Sequence, residues 1–225
     1  MALILNIDSS QEKASVCLAE NARSLLCLEN ERQSDHAGWI HQAIATLVKE
    51  CGYTLAQLDA VAVTAGPGSY TGLRVGLATA KGICYALQKP LITVNTLLMM
   101  AAAAKDQAEE YICPMIDARR MEVFSAVYDK NLREIAAPEA LVVHPAVYQM
   151  ILAAHKVLFT GSGCKKLQQI SGDTPNARYE DIPFNAAQLT ELSYSRFQQQ
   201  EFTDLAYTEP FYIKDFHTTE RRKTQ

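Results

Sequence analysis

The segment Gly66-Pro67-Gly68-Ser69-Tyr70-Thr71-Gly72-Leu73-Arg74-Val75-Gly76 constrains this chain more than any other, because it joins two different periodicities. Before it, Asp59 to Ala65 is a continuous apolar run of strand length, which suits a buried parallel strand. After it, a helical pattern continues to about Leu87. A parallel strand handing over to a helix commits the chain to the α/β class. Glycine turns at such a junction can seat an anion on helix N-terminal amides. This one has no Gly-Lys-Ser/Thr ending and the wrong glycine spacing for a dinucleotide fingerprint. A phosphate site drawing on Gly68, Ser69 and Thr71 and a plain glycine turn are both open at this stage.

Within the helix, Gly72, Gly76, Ala80 and Cys84 recur at four-residue steps and give one side almost no bulk. Glycine inside a helix costs about 1 kcal/mol relative to alanine, so this face implies a close compensating contact. The contact is either packing within the same domain or a helix of another subunit. Trp39 strengthens the second option if it lies off the core stripe of the preceding helix, because exposed aromatic residues serve as interface anchors.

Upstream, Ala2 to Asp8, Ala14 to Ala19 and Ser24 to Leu28 predict a three-stranded antiparallel meander. From His36 the apolar residues Ile40, Ala43, Ile44, Leu47, Val48 and Cys51 recur at helical spacing, and Gly52 stops the helix. Leu91 to Val94 predicts a strand and Leu97 to Lys105 a helix. A second hairpin is expected at Tyr111 to Ile116 and Glu122 to Tyr128, repeating the opening pattern at lower fidelity. Pro145 to His155 predicts a helix, Lys156 to Thr160 a strand, and Asn185 to Gln199 a final helix. The expected domains are 1–104 and a smaller 105–204, with 205–217 packing back on the first and 218–225 a mobile tail.

A formal charge of -4 over 225 residues leaves no basic field for a nucleic-acid backbone. The six cysteines contain no C-x-x-C pair and read as buried thiols of a reducing compartment. No signal peptide or spanning segment is evident, so a cytoplasmic protein is expected. His36 and His41, five residues apart, diverge too far around a helix to share a metal readily. Asp8 ends the first strand and Ser9, Ser10 and Lys13 populate the turn after it, which either places hydroxyls and amides near a phosphate or closes an Asx-turn. Asp117, Arg119 and Glu122 form either a functional ion cluster or a solvated turn, and Ser162 lacks the surroundings of a nucleophile. The basic tail Arg221-Arg222-Lys223 reads as a solubilising end.

Ile4-Leu5-Asn6-Ile7-Asp8-Ser9-Ser10, Gly66 to Gly76 with Ala80-Lys81-Gly82, Asp117-Ala118-Arg119 with Glu122-Val123, and Pro210-Phe211-Tyr212-Ile213-Lys214 together resemble the bacterial TsaB (YeaZ) family over nearly the whole chain. The resemblance implies an actin/hexokinase/Hsp70-like (ASKHA) fold, with two related lobes of mixed sheets flanked by helices. It implies a non-catalytic subunit that joins the metal-carrying TsaD and the ATPase TsaE. Their complex transfers a threonylcarbamoyl group to adenosine 37 of ANN-decoding tRNAs, and tRNA is reached through the complex. The catalytic paralogue carries a His-x-x-x-His metal pair where this chain reads Val94-Asn95-Thr96-Leu97-Leu98-Met99. By this resemblance no cofactor or metal is expected on this chain, though ATP or ADP can lie at the complex interface. The helices from about His36 to Cys51 and Gly72 to Leu87 are the implied contact surface, with Trp39, Gly72, Leu73, Gly76, Ala80 and Cys84 at its centre. A homodimer through the same helices would compete. The alternative is an independent nucleotide-dependent enzyme of the same fold, with Asp8 as acid, or a metallopeptidase.

Overall fold

The computed structural model describes residues 1–30, 36–172 and 174–214, and for His36 the backbone alone. The expected tail 218–225, with its basic residues, lies outside the described residues, as do 215–217.

Strands β1 (Leu3–Asp8), β2 (Ser15–Glu20) and β3 (Arg23–Glu29) form the opening meander. Helix α1 (His36–Glu50) leads to β4 (Ala60–Gly66), α2 (Tyr70–Leu87), β5 (Leu91–Asn95) and α3 (Thr96–Ala104). The sheet order is β3-β2-β1-β4-β5, with β4 parallel to both β1 and β5. The second half begins with β6 (Tyr111–Asp117), β7 (Glu122–Asp129) and β8 (Glu134–Val142). It continues through α4 (Gln149–Leu152), β9 (Val157–Thr160), α5 (Cys164–Ser171), β10 (Ala177–Tyr179) and α6 (Leu189–Gln198). Its order, β10-β9-β6-β7-β8, is the first sheet's order read from the other end, with β6, β9 and β10 parallel. The two lobes therefore share one plan: a meander, then two parallel strands added beside its first strand.

Each sheet is covered on both faces. Helices α1 and α2 bury Ile40, Ile44, Leu47, Leu77 and Ala80 against Leu5, Val16, Leu18 and Val63. On the opposite face of the first sheet, Met99 of α3 and Leu189 of α6 pack on Ile4, Ala62, Ile92 and Val94. Leu97, Met100, Ala101 and Ala104 turn the other way, onto Ile112, Ala126 and Leu158 of the second sheet. A helix apolar on every side has to be buried on every side, and α3 satisfies this by lying between the sheets. The outer face of the second sheet is closed by a cluster including Phe159, Tyr148, Cys164 and Leu167.

Three expectations need correction. Residues from 186 to 203 belong to the first lobe, not to a 105–204 unit: Ser193 Oγ donates to Asn6 Oδ1 at 2.7 Å, and Thr203 N donates to Leu91 O at 2.8 Å. The expected helix 145–155 is helical only over Gln149–Leu152. Strand β8 was not foreseen, since Pro138 interrupts its pattern. Proline is tolerated there because β8 is an edge strand whose outer side needs no donor.

Among the described residues no helix is long and apolar enough to cross a membrane.

Candidate functional site

The glycine loop is occupied by the chain's own backbone. Ser69 caps α2, its hydroxyl accepting from Gly72 N at 3.3 Å, and its own N–H donates to Ser10 O at 2.7 Å. A Cβ at Gly68 would meet Ser10 O at 2.3 Å, and one at Gly72 would meet Ser9 O at 2.0 Å. One at Gly76 would meet Ser9 Oγ at 2.2 Å. The turn between β1 and β2 thus packs tightly against the glycine loop. Asp8 lies beneath it, 2% exposed. Its Oδ1 accepts from Ser10 N at 3.0 Å, Ser10 Oγ at 2.7 Å and Thr64 Oγ1 at 2.7 Å. Of the proposed nucleotide-adjacent residues, Gly68 and Ser69 line the inter-lobe cleft. Asp8 and Ser9 are buried under the loop, and Thr71 is exposed on the first turn of α2.

The small-residue face of α2 also points inward, which corrects its assignment to a partner. Gly72, Leu73, Gly76, Ala80 and Cys84 are all buried on the chain's own first sheet. Cys84 Sγ reaches Pro90 O at 3.4 Å, and burial pushes its thiol up to about 11. Trp39 is half-buried and packs against the same core, so it is partly committed to the fold.

A second small-residue row on α2 is open. Ala78, Gly82 and Ala86 also recur at four-residue steps, two positions out of phase with the first row. Two helical positions are roughly 200° of rotation, so the rows lie on opposite faces. Nothing lies within 4 Å of a Cβ built at Gly82. With Val75 and Ile83, and with Ala37 and His41 of α1 and Leu55, this row lines an apolar groove of about 480 Å³. The sequence carried the signal for this groove at the same spacing as the buried row.

A larger cleft, about 1030 Å³, lies between the lobes, bounded by Tyr70, Asp117, Arg119, Phe184, Tyr212 and Lys214 among others. The turn from β6 to β7 forms its far wall, and Arg119, Arg120 and Met121 in it have φ of 66°, 43° and 63°. Three successive non-glycine residues in the left-handed region are costly. Asp117 helps to hold the turn, accepting from Arg119 N at 2.7 Å and from Lys166 Nζ at 2.6 Å. Burial works against the charge of Asp117, but these bonds outweigh it and keep the carboxyl below its usual range. Ser162 Oγ accepts from Asp117 N at 3.0 Å and serves this wall as a structural hydroxyl.

Pro210 to Lys214 closes the near side as a strap. Phe211 N donates to Ala65 O at 2.7 Å, Arg74 Nε donates to Tyr212 Oη at 3.1 Å, and Lys214 Nζ meets Glu122 Oε2 at 2.5 Å. Lys81 Nζ donates to the carbonyls of Ala206 and Thr208. Arg74 and Lys81 in the glycine segment therefore serve the strap. Among the described residues no three His, Cys, Asp or Glu side chains converge to hold a metal, and the His36 side chain lies outside them.

The comparisons with known proteins agree with this architecture. A family model described as TsaD, tRNA N6-adenosine threonylcarbamoyltransferase, matches residues 30–220. The Escherichia coli tRNA threonylcarbamoyladenosine biosynthesis protein TsaB is 33% identical over 226 residues, covering 94% of this chain and 94% of its own. The chain belongs to the TsaB (YeaZ) family. The solved structure of YeaZ from Pseudomonas aeruginosa superposes with a TM-score of 0.83 at 26% identity, over 94% of this chain and 100% of that one. The activator of the 2-hydroxyisocaproyl-CoA dehydratase from Clostridium difficile, solved with ADPNP, has a TM-score of 0.52 at 9% identity over 90% of this chain and 98% of that one. That likeness is one of fold alone.

Proposed function

We propose that this chain is a non-catalytic partner subunit in the biosynthesis of threonylcarbamoyladenosine in tRNA, docking on TsaD through the apolar groove between α1 and α2. The single observation that carries this reading is the open row Ala78, Gly82 and Ala86 flanked by Val75 and Ile83. A helix of another subunit can approach such a row closely, because small residues let backbones come together, and burial of its apolar rim supplies the driving force. The packing of the glycine loop on the Ser9–Ser10 backbone and the three hydrogen bonds already held by Asp8 Oδ1 argue against the alternative of an independent nucleotide-dependent enzyme. TsaE would join the pair, and tRNA and any ATP or ADP would be engaged by the assembled complex.

The test is threonylcarbamoyl transfer to tRNA in a reconstituted system of TsaC, TsaD and TsaE, with and without this chain. Transfer that depends on the chain, with none from the chain lacking TsaD, is the expected result. Ala78→Glu, placing a charge at an exposed position in the groove, should abolish both TsaD co-elution and stimulation while leaving the melting curve unchanged. Equal transfer without the chain would overturn the reading.

A further inference from the structure

Cys17 of β2 and Cys27 of β3 are direct cross-strand partners. Both are free thiols. Among the described residues they are the only two cysteines set opposite one another on adjacent strands. Directly opposed residues of an antiparallel pair have Cα atoms about 4.5 or 5.5 Å apart, and a disulfide accepts about 4.4 to 6.8 Å. Their side chains leave the sheet on the same face, toward the turn that begins α6. There Cys17 Sγ lies 3.1 Å from Ser24 Oγ, and Cys27 Sγ lies 3.5 Å from Asn185 Oδ1. Two ordinary buried thiols need only pack as small apolar groups. This pair is instead set in register opposite one another, the spacing a disulfide requires, and Cys27 is the half-buried member on the sheet's edge strand.

We propose that Cys17 and Cys27 form a reversible modification site, oxidised to an intramolecular disulfide by a low-molecular-weight disulfide such as oxidised glutathione. Deprotonated Cys27, the solvent-side thiol, attacks one sulfur of the oxidant, forming a mixed disulfide and releasing one thiolate. Cys17 then attacks Cys27 Sγ as its thiolate, displacing the second. Two cysteine thiols lose two electrons and two protons, and the oxidant leaves as two thiols. A hydrogen bond from Cys27 lowers the pKa of Cys17, and the same bond, with burial, raises that of Cys27. The first step is therefore slow and accelerates with pH. The product removes the Cys27 thiol from Asn185, whose amide also donates to Glu29 Oε1 at 2.6 Å on the wall of the inter-lobe cleft.

The full-length chain, reduced and folded, is incubated without oxygen in glutathione buffers stepped from reduced to oxidised, quenched in acid, unfolded and alkylated. Trypsin cuts after Lys13, Arg23 and Arg32, so the linkage reads as peptides 14–23 and 24–32 joined, lighter by two hydrogens than their sum. The expected result is that joined pair, formed faster at mildly alkaline than at neutral pH, with Cys51, Cys84, Cys113 and Cys164 still alkylated. Cys27→Ser and Cys27→Ala should each leave Cys17 as an alkylated thiol. Recovery of both cysteines as free thiols or as separate glutathione adducts from the folded chain at the oxidised end would overturn the proposal. So would a link that forms only in denaturant.

Discussion

Gly72 and Ser9 lock one another: the Ser9 hydroxyl donates to the Gly72 carbonyl at 2.8 Å, and a methyl group on Gly72 would sit 2.0 Å from the Ser9 carbonyl oxygen. The obstacle is backbone, so it cannot swing aside. Gly72→Ala should therefore destabilise the chain by about 1–3 kcal/mol through overpacking, despite alanine's better helix propensity. Urea unfolding checks this, and an unchanged or higher midpoint would mean that the turn is looser than described.

Gly82 lies on the same helix with the opposite surroundings. Gly82→Ala should raise stability by about 0.5–1 kcal/mol, since it adds helix propensity and meets no atom. Gly82→Leu should fold equally well but fill the groove and prevent co-elution with TsaD. Stable complex formation by the leucine variant would remove the groove from the docking surface.

Thr64→Val keeps the shape of a buried strand residue and deletes one donor to Asp8 Oδ1. A buried acceptor losing one of its bonds should cost about 1–3 kcal/mol. Thermal unfolding of this variant beside Thr64→Ser, which restores a hydroxyl, separates the lost bond from altered packing.

The Lys166–Asp117 pair predicts a pH dependence. Because the folded carboxyl is held below its unfolded value of 3.8, its contribution is present above that value and is lost as pH falls through the folded one. Lys166→Met should be less stable than the parent at neutral pH, by a small margin because Asp117 is 42% exposed. The difference should vanish in acid below both values. A margin that persists there would assign the effect to packing of the lysine stem and to its bond to the Glu122 carbonyl, neither of which titrates with Asp117.

Much of the first lobe was legible because its residues speak through neighbours in sequence. The four-residue steps of α2, the glycine stop after α1 and the apolar run of β4 each fix an element locally. Which face of α2 is buried was not legible. Two small-residue rows share its sequence, and the partner that selects one of them, Ser9, lies 63 residues from Gly72. The state of Asp8 was hidden similarly, since its donor Thr64 is 56 positions away. The lobe membership of α6 depends on Leu189 and Ser193 reaching Ile4 and Asn6, a pairing that periodicity alone does not encode.

Helix α3 gives this molecule a keel. Because Leu97, Met100 and Ala104 are sunk in one half and Met99 in the other, a hinge between the halves would have to tear an apolar rod from one of its two beds. Here the keel ties the two lobes together through their shared apolar core.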